Sequence, residues 1–346
     1  MIEEPGIVAV VVQRRRLATP VVGRMLGVVL SVAIVAWLVP QQFGSRWMST
    51  WTTTLVFTIA AAGIGLLYSR LGLSSLTQVA LVGVGGWVAL RLEFAADLPF
   101  FLTVILSALI TAAVGTVLSG PALRLRGLYL ALVTLMMAAG FDKIINATGF
   151  PNGGSGILGY QATGELQRMS RPSIAQSDAS YFRLVLVATA LAFLLVLIHE
   201  KTKPGRAWRL IAQSEGAAHS SGINVVFYKT WAFTLAAFLS GLAGALFAAQ
   251  LGQLGPSSFE SIDSLILFAM VLVGGAYHWV GWVIGAVLFK AFPGFLDDRG
   301  ISADIATMIA GAALMLNLVA APRGIAGEIA RAVRGKRSNR SKEKTQ

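Results

Sequence analysis

The 346-residue sequence contains no cysteine. That excludes disulfides, thiolate metal sites and cysteine nucleophiles, and leaves the redox compartment open. Charge is also scarce, at 13% of residues, where soluble domains carry roughly a quarter. Three histidines occur, His199, His219 and His278, far apart along the chain. A zinc site needs convergent ligands, so these three do not suggest one. The G-x-x-x-x-G-K-[ST] signature is missing, because Lys201–Thr202 and Lys229–Thr230 lack the preceding glycine. No ATP-binding P-loop is therefore expected in this chain. No serine has a base placed beside it. The reading is of a non-catalytic protein with no catalytic residue, cofactor or metal.

What the sequence has in quantity is apolar surface. Hydrophobic residues make up 55% of the chain, and the mean hydropathy is +0.71. Long apolar runs with few charges read as transmembrane helices, each needing about 20 residues. The net charge is +12. Its carriers cluster at the ends: Arg14, Arg15, Arg16 and Arg24 before the first run, and Arg323, Arg331, Arg334, Lys336, Arg337, Arg340, Lys342 and Lys344 after the last. The positive-inside rule accounts for this pattern, so the expected partner is the lipid membrane and not nucleic acid. The apolar run 7–12 is too short for a cleavable signal and precedes its arginines, so the first span is expected to be an uncleaved anchor.

Marking spans by apolar runs and orienting them by Lys and Arg gives 23–39, 52–67, 73–92, 100–118, 128–145, 182–198, 230–251, 265–275, 279–295 and 305–320. The expectation is an all-α polytopic membrane protein of about ten spans with both termini cytoplasmic. The segments divide into a cytoplasmic stretch 1–22, a membrane domain 23–322 with a cytoplasmic loop at 199–229, and a basic cytoplasmic tail 323–346. Residues 41–50 are expected outside, with Trp47 and Trp51 as interfacial anchors. The third and eighth spans, one interrupted and one short, are candidates for partly re-entrant segments.

Ionisable residues within spans are functional candidates by default. Asp142, Lys143 and Lys290 qualify, although each lies near enough to an interface to snorkel. Neighbouring Asp142 and Lys143 diverge on a helix and are not expected to pair. Neutral polar residues are the other set: Ser75, Thr77 and Gln78 in the third span, and Thr134 in the fifth. In hydrocarbon they need partners, which makes them either lining for a translocation path or glue between helices. Gly241 and Gly244, with Ala237, Ala245 and Ala248, suit close helix packing, as do Gly23-x-x-x-Gly27 and Gly281-x-x-x-Gly285.

The loop between the sixth and seventh spans is more specific. GRAWRLIAQSEGAAHSSGINVVFYKTWAF, from Gly205 to Phe233, resembles the cytoplasmic loop of the branched-chain amino acid ABC transporter permease family, LivM type. That family's pattern runs roughly G-R-A-x-R-A-I-R-x-N-E-x-A-A-x-x-x-G-I-N, then Tyr-Lys and Ala-Phe. Gly205, Arg206, Ala207, Arg209, Ile211, Glu215, Ala217, Ala218, Gly222, Ile223 and Asn224 match it, as do Tyr228, Lys229, Ala232 and Phe233. Arg126-Gly127-x-Tyr129-x-Ala131-x-Val133-Thr134-Leu135 is similar to a second family segment, and Ala237 to Leu246 to a third. Departures occur: Leu73 and Thr77 replace Gln and Gly, and Tyr277 and Trp282 stand where Gly and Pro are usual.

The resemblance implies a type II ABC importer permease. Its partners would be two ABC ATPase subunits, a second permease subunit (the same chain or a different one) and an extracytoplasmic solute-binding protein. Arg206, Arg209, Glu215, Gly216, Ala217, Ala218 and Gly222 would then contact the ATPase. Ser214 is placed to N-cap a short helix there, with Glu215 at its positive end and Gly222 as a left-handed cap. Gly216, Ala217 and Ala218 would give that helix a low profile. Urea, amide or sugar permeases, or a stand-alone carrier or channel, are the alternative readings.

Overall fold

The computed structural model describes residues 35–122, 125, 127–152 and 167–300, with scattered positions between 305 and 331. The chain divides into two compact units, Met1–Gln42 and Phe43–Gln346. In the first, residues 35–42 are helical. The rest of the expected first span, the Gly23–Gly27 pair and most of the expected tenth span lie outside the described residues.

The second unit is helical, with no strand among the described residues. Its helices are α1 (Ser45–Leu71), α2 (Gln78–Ala96), α3 (Phe100–Ala122), α4 (Leu128–Thr148), α5 (Asp178–Lys201), α6 (Lys203–Gln213), α7 (Glu215–Ser220), α8 (Val225–Leu251), α9 (Ser261–Gly274), α10 (Trp279–Ala286) and α11 (Phe292–Asp297). Among the described residues, 8 segments are long and apolar enough to cross a membrane. They correspond to the expected second through ninth spans.

The helices outrun the apolar runs that signalled them. α1 starts at Ser45, so Trp47 and Trp51 sit on its first turns and not in a loop. There they form an aromatic cluster, with Trp47 and Trp51 6.2 and 5.9 Å from Phe43, and Trp47 6.4 Å from Phe295. A helix satisfies its own backbone, so nothing compels it to stop at the edge of the hydrocarbon. What stops α1 is Gly72, at φ +66°, whose N–H returns to the last carbonyls. Between α10 and α11 the chain makes a π turn over Val287–Ala291. Pro293, in the first turn of α11, brings no N–H to the ladder there.

The bundle is organised around α1 and α8, with 78% and 83% of their most apolar stretches buried, against 22% for α4. α8 packs against α1, α2 and α3 together. Lipid tails are as apolar as side chains, so close backbone approach, not hydrophobicity, draws such helices together. At the α2–α8 crossing a Cβ on Gly85 would lie 2.6 Å from the Gly241 Cα, and one on Gly244 would collide with the Val82 carbonyl. The α9–α10 hairpin closes the same way, with Gly274 against Gly281 and Gly285. The packing role expected for Gly241, Gly244, Gly281 and Gly285 is therefore observed.

Candidate functional site

Two polar regions interrupt the apolar bundle: an arm of two short helices, α6 and α7, and a buried belt beside the break between α1 and α2.

The arm begins where α5 ends. Arg70, in the last turn of α1, grips Glu200 with two hydrogen bonds, Nε to Oε1 at 2.9 Å and Nη2 to Oε2 at 3.0 Å. Two residues later the chain turns at Thr202 and starts α6 with Pro204 in the first turn, where its missing N–H costs nothing. α6 is amphipathic. Ala207, Trp208 and Ile211 face inward, while Arg206, Arg209, Leu210 and Gln213 face out. Trp208 is fully buried, donates its Nε1–H to the Tyr228 carbonyl at 2.8 Å and stacks on His199. Gly205 lies so close to the Glu200 carbonyl that a Cβ would overlap it.

Ser214 both ends α6 and caps α7, its Oγ accepting the Ala217 N–H at 3.2 Å. α7 closes at the other end with Gly222 N–H to the His219 carbonyl at 2.9 Å and Ile223 N–H to the Ala218 carbonyl at 3.0 Å. Gly222 itself is at φ +76°. This double closure around a left-handed residue is the Schellman arrangement, which only glycine makes without strain. Asn224 then caps α8, its Oδ1 accepting the Phe227 N–H at 3.0 Å.

The expected coupling residues separate into two sets. Arg206, Arg209, Gly216, Ala217 and Gly222 are exposed. Ala218 is fully buried and so cannot belong to a low outer surface; it seats α7 against the rest of the chain. Glu215 is half-buried, with Oε1 2.7 Å from Lys229 Nζ. Sequence reasoning missed this ion pair. Its signal was Lys229 sharing the inward face of α8 with Val225, Ala232 and Phe233, four residues before and three and four after.

The belt contains the other predicted set. Residues 72–77 are not helical, and α2 starts only at Gln78. The third span as drawn, 73–92, is thus a non-helical entry followed by a helix running on to Ala96. Ser75, Thr77, Gln78 and Thr134 are all buried. The Ser75 and Thr77 hydroxyls lie 3.0 Å apart. Thr134, on α4, accepts the Leu76 N–H at 3.0 Å and donates to the Leu130 carbonyl at 2.9 Å. Gln78 reaches α8 instead, its Oε1 accepting from Ser240 Oγ at 2.6 Å. Its Nε2 has no partner among the described residues. Non-helical backbone at membrane depth needs such partners.

The remaining candidates lie apart from both regions. Asn146 Nδ2 donates to the Asp142 carboxylate at 2.6 Å, and Lys143 is exposed. Lys290 holds its Nζ over two rings, 4.7 Å from the Phe57 centroid and 4.3 Å from Phe289. Among the described residues no His, Cys, Asp and Glu converge as metal ligands.

A bundle of long apolar helices, broken at a buried polar belt and carrying an amphipathic arm at one end, is the build of a multi-pass membrane permease. Sequence comparison places it further: the chain belongs to the family described as the branched-chain amino acid transport system / permease component, whose profile matches residues 46–318. It is 30% identical over 319 residues to the high-affinity branched-chain amino acid transport system permease protein LivM of Salmonella typhimurium, covering 86% of this chain and 73% of that protein. To LivM of Escherichia coli it is 29% identical over 321 residues, with the same coverage of each. The ribose import permease RbsC of Bacillus subtilis is 31% identical over 137 residues, 38% of this chain and 42% of that protein.

Proposed function

We propose that this chain is the transmembrane subunit of an ABC importer in the bacterial cell membrane. It moves branched-chain or related amino acids inward by alternating access. The driving force comes from two separate ATPase subunits, and a second permease subunit and an extracytoplasmic binding protein complete the assembly. The observation that carries this reading is the arm: a short helix, capped at both ends, that turns Gly216 and Ala217 outward, directly after a helix that turns Arg206 and Arg209 outward. Small residues let a partner groove approach closely, and the two guanidiniums suit acidic side chains on that partner. Ser75, Thr77, Gln78 and Thr134 stand beside the proposed path. They hold the break between α1 and α2 in one shape, and the buried Gln78 Nε2, without a partner among the described residues, is a donor that a polar substrate would answer once the path opens. The LivM relatives favour an amino acid. The shorter match to a ribose permease keeps a sugar as the second reading.

The test is uptake into proteoliposomes containing the chain, its ATPases and its second permease. Labelled leucine should enter only with ATP and loaded binding protein, and unlabelled ribose should not compete. Ala217→Arg should abolish that uptake while membrane insertion stays normal. Normal uptake in Ala217→Arg would remove the coupling role from α7.

A further inference from the structure

Resting on the coupling reading, we infer that the Glu215–Lys229 ion pair is the rigid link through which movement of α7 enters the bundle, and that Lys229 is a positioning residue for transport. A helix as short as Glu215–Ser220 transmits a displacement only to what it is fastened to. Three fastenings are seen among the described residues. One is the chain itself, through the Schellman closure. Another is Ala218, seated inward. The third is the ion pair, at 2.7 Å, with side-chain exposures of 5% for Lys229 and 26% for Glu215. An apolar contact lets two helices slide. An ion pair withdrawn from water does not, because separating its charges leaves one of them buried and uncompensated. It therefore fixes the register of α7 on α8.

What lies beyond Lys229 fits a transmitting role. Trp208 ties α6 to the same turn of α8 through the Tyr228 carbonyl, so α6, α7 and the base of α8 move as one body. Among the described spans α8 is the most enclosed. Further along it, Ser240 holds Gln78 and Gly241 lies against Gly85. A shift of α8 thus reaches α2 and the non-helical entry at 72–77. The link is distinct from the docking face: the outward residues receive the partner, and the pair passes the motion inward.

The experiment uses the assembled transporter in proteoliposomes, reading bound ATPase subunits, ATP hydrolysis and uptake in parallel. Lys229→Met should keep its ATPase subunits and hydrolyse ATP, yet import about tenfold less per ATP, the scale of a typical coupling energy. Lys229→Arg, which retains the charge, should import at close to the wild-type rate. The absence of native cysteine allows a second form. Glu215→Cys with Lys229→Cys should import poorly as free thiols and recover when a short bifunctional thiol reagent joins them. This form also decides the matter if Lys229→Met fails to fold. Normal import by Lys229→Met, loss of its ATPase subunits, or a joined cysteine pair that stays inactive would each overturn the link. Failure of the wild type to import amino acids with ATP would instead overturn the functional reading beneath it.

Discussion

The arm and the bundle core are both tightly built, and they are built on opposite rules. α6 and α7 face water on one side, and their order comes from amphipathic burial of Trp208, caps at Ser214 and Gly222, and charge pairs at Glu200 and Glu215. The core helices α1, α2 and α8 gain little from hydrophobicity, because the lipid around them is equally apolar. Their order comes from missing side chains, at Gly85, Gly241 and Gly244, and from neutral polar groups that satisfy one another. The comparison teaches where each region is fragile. The core is vulnerable to added bulk, and the arm to lost anchors.

Three substitutions probe that difference, in falling order of effect. Gly244→Leu drives a branched side chain into the Val82 carbonyl and the Gly86 N–H, both backbone atoms. Overpacking of this kind costs about 3 kcal/mol or more where backbone cannot yield. Size-exclusion chromatography in detergent should show aggregate in place of a monodisperse peak. Trp208→Ala removes the arm's main anchor at a local cost of about 3 kcal/mol. Limited proteolysis should then cut within α6 while the bundle keeps its melting temperature; a bundle that melts with the arm would mean the two regions are not separable. Ser214→Ala removes one cap, about 1 kcal/mol. Hydrogen exchange should quicken at the amides of α7 and stay unchanged in α8, and equal quickening in both would show that the cap serves the whole arm.

Much of this was legible in advance. Hydropathy placed eight spans in order, and Ser214 and Gly222 marked the ends of α7, because caps and left-handed glycines act through local backbone geometry. The arm's inner contacts were harder to read. Ala218 looked like one more small outward residue beside Ala217, and only the rotation of α7 against its neighbours turns it inward. Glu215 and Lys229 are 14 residues apart on two different helices, so no local rule pairs them. The helix limits of α1 and α2 were misjudged for another reason. Hydropathy measures what lipid tolerates, whereas helix ends are set by caps such as Gly72 and by hydroxyls such as Thr134, which holds the Leu76 N–H from another helix.

The clamp between Arg70 and Glu200 has a consequence for how the chain is made. Its partners are 130 residues apart in sequence. A ribosome adding roughly 5–20 residues per second needs on the order of ten seconds to pass from one to the other. Through that interval the Arg70 guanidinium has yet to meet Glu200. α2, α3 and α4 are threaded before the answering carboxylate emerges. The ion pair therefore joins α1 to a helix that is made only after α2, α3 and α4.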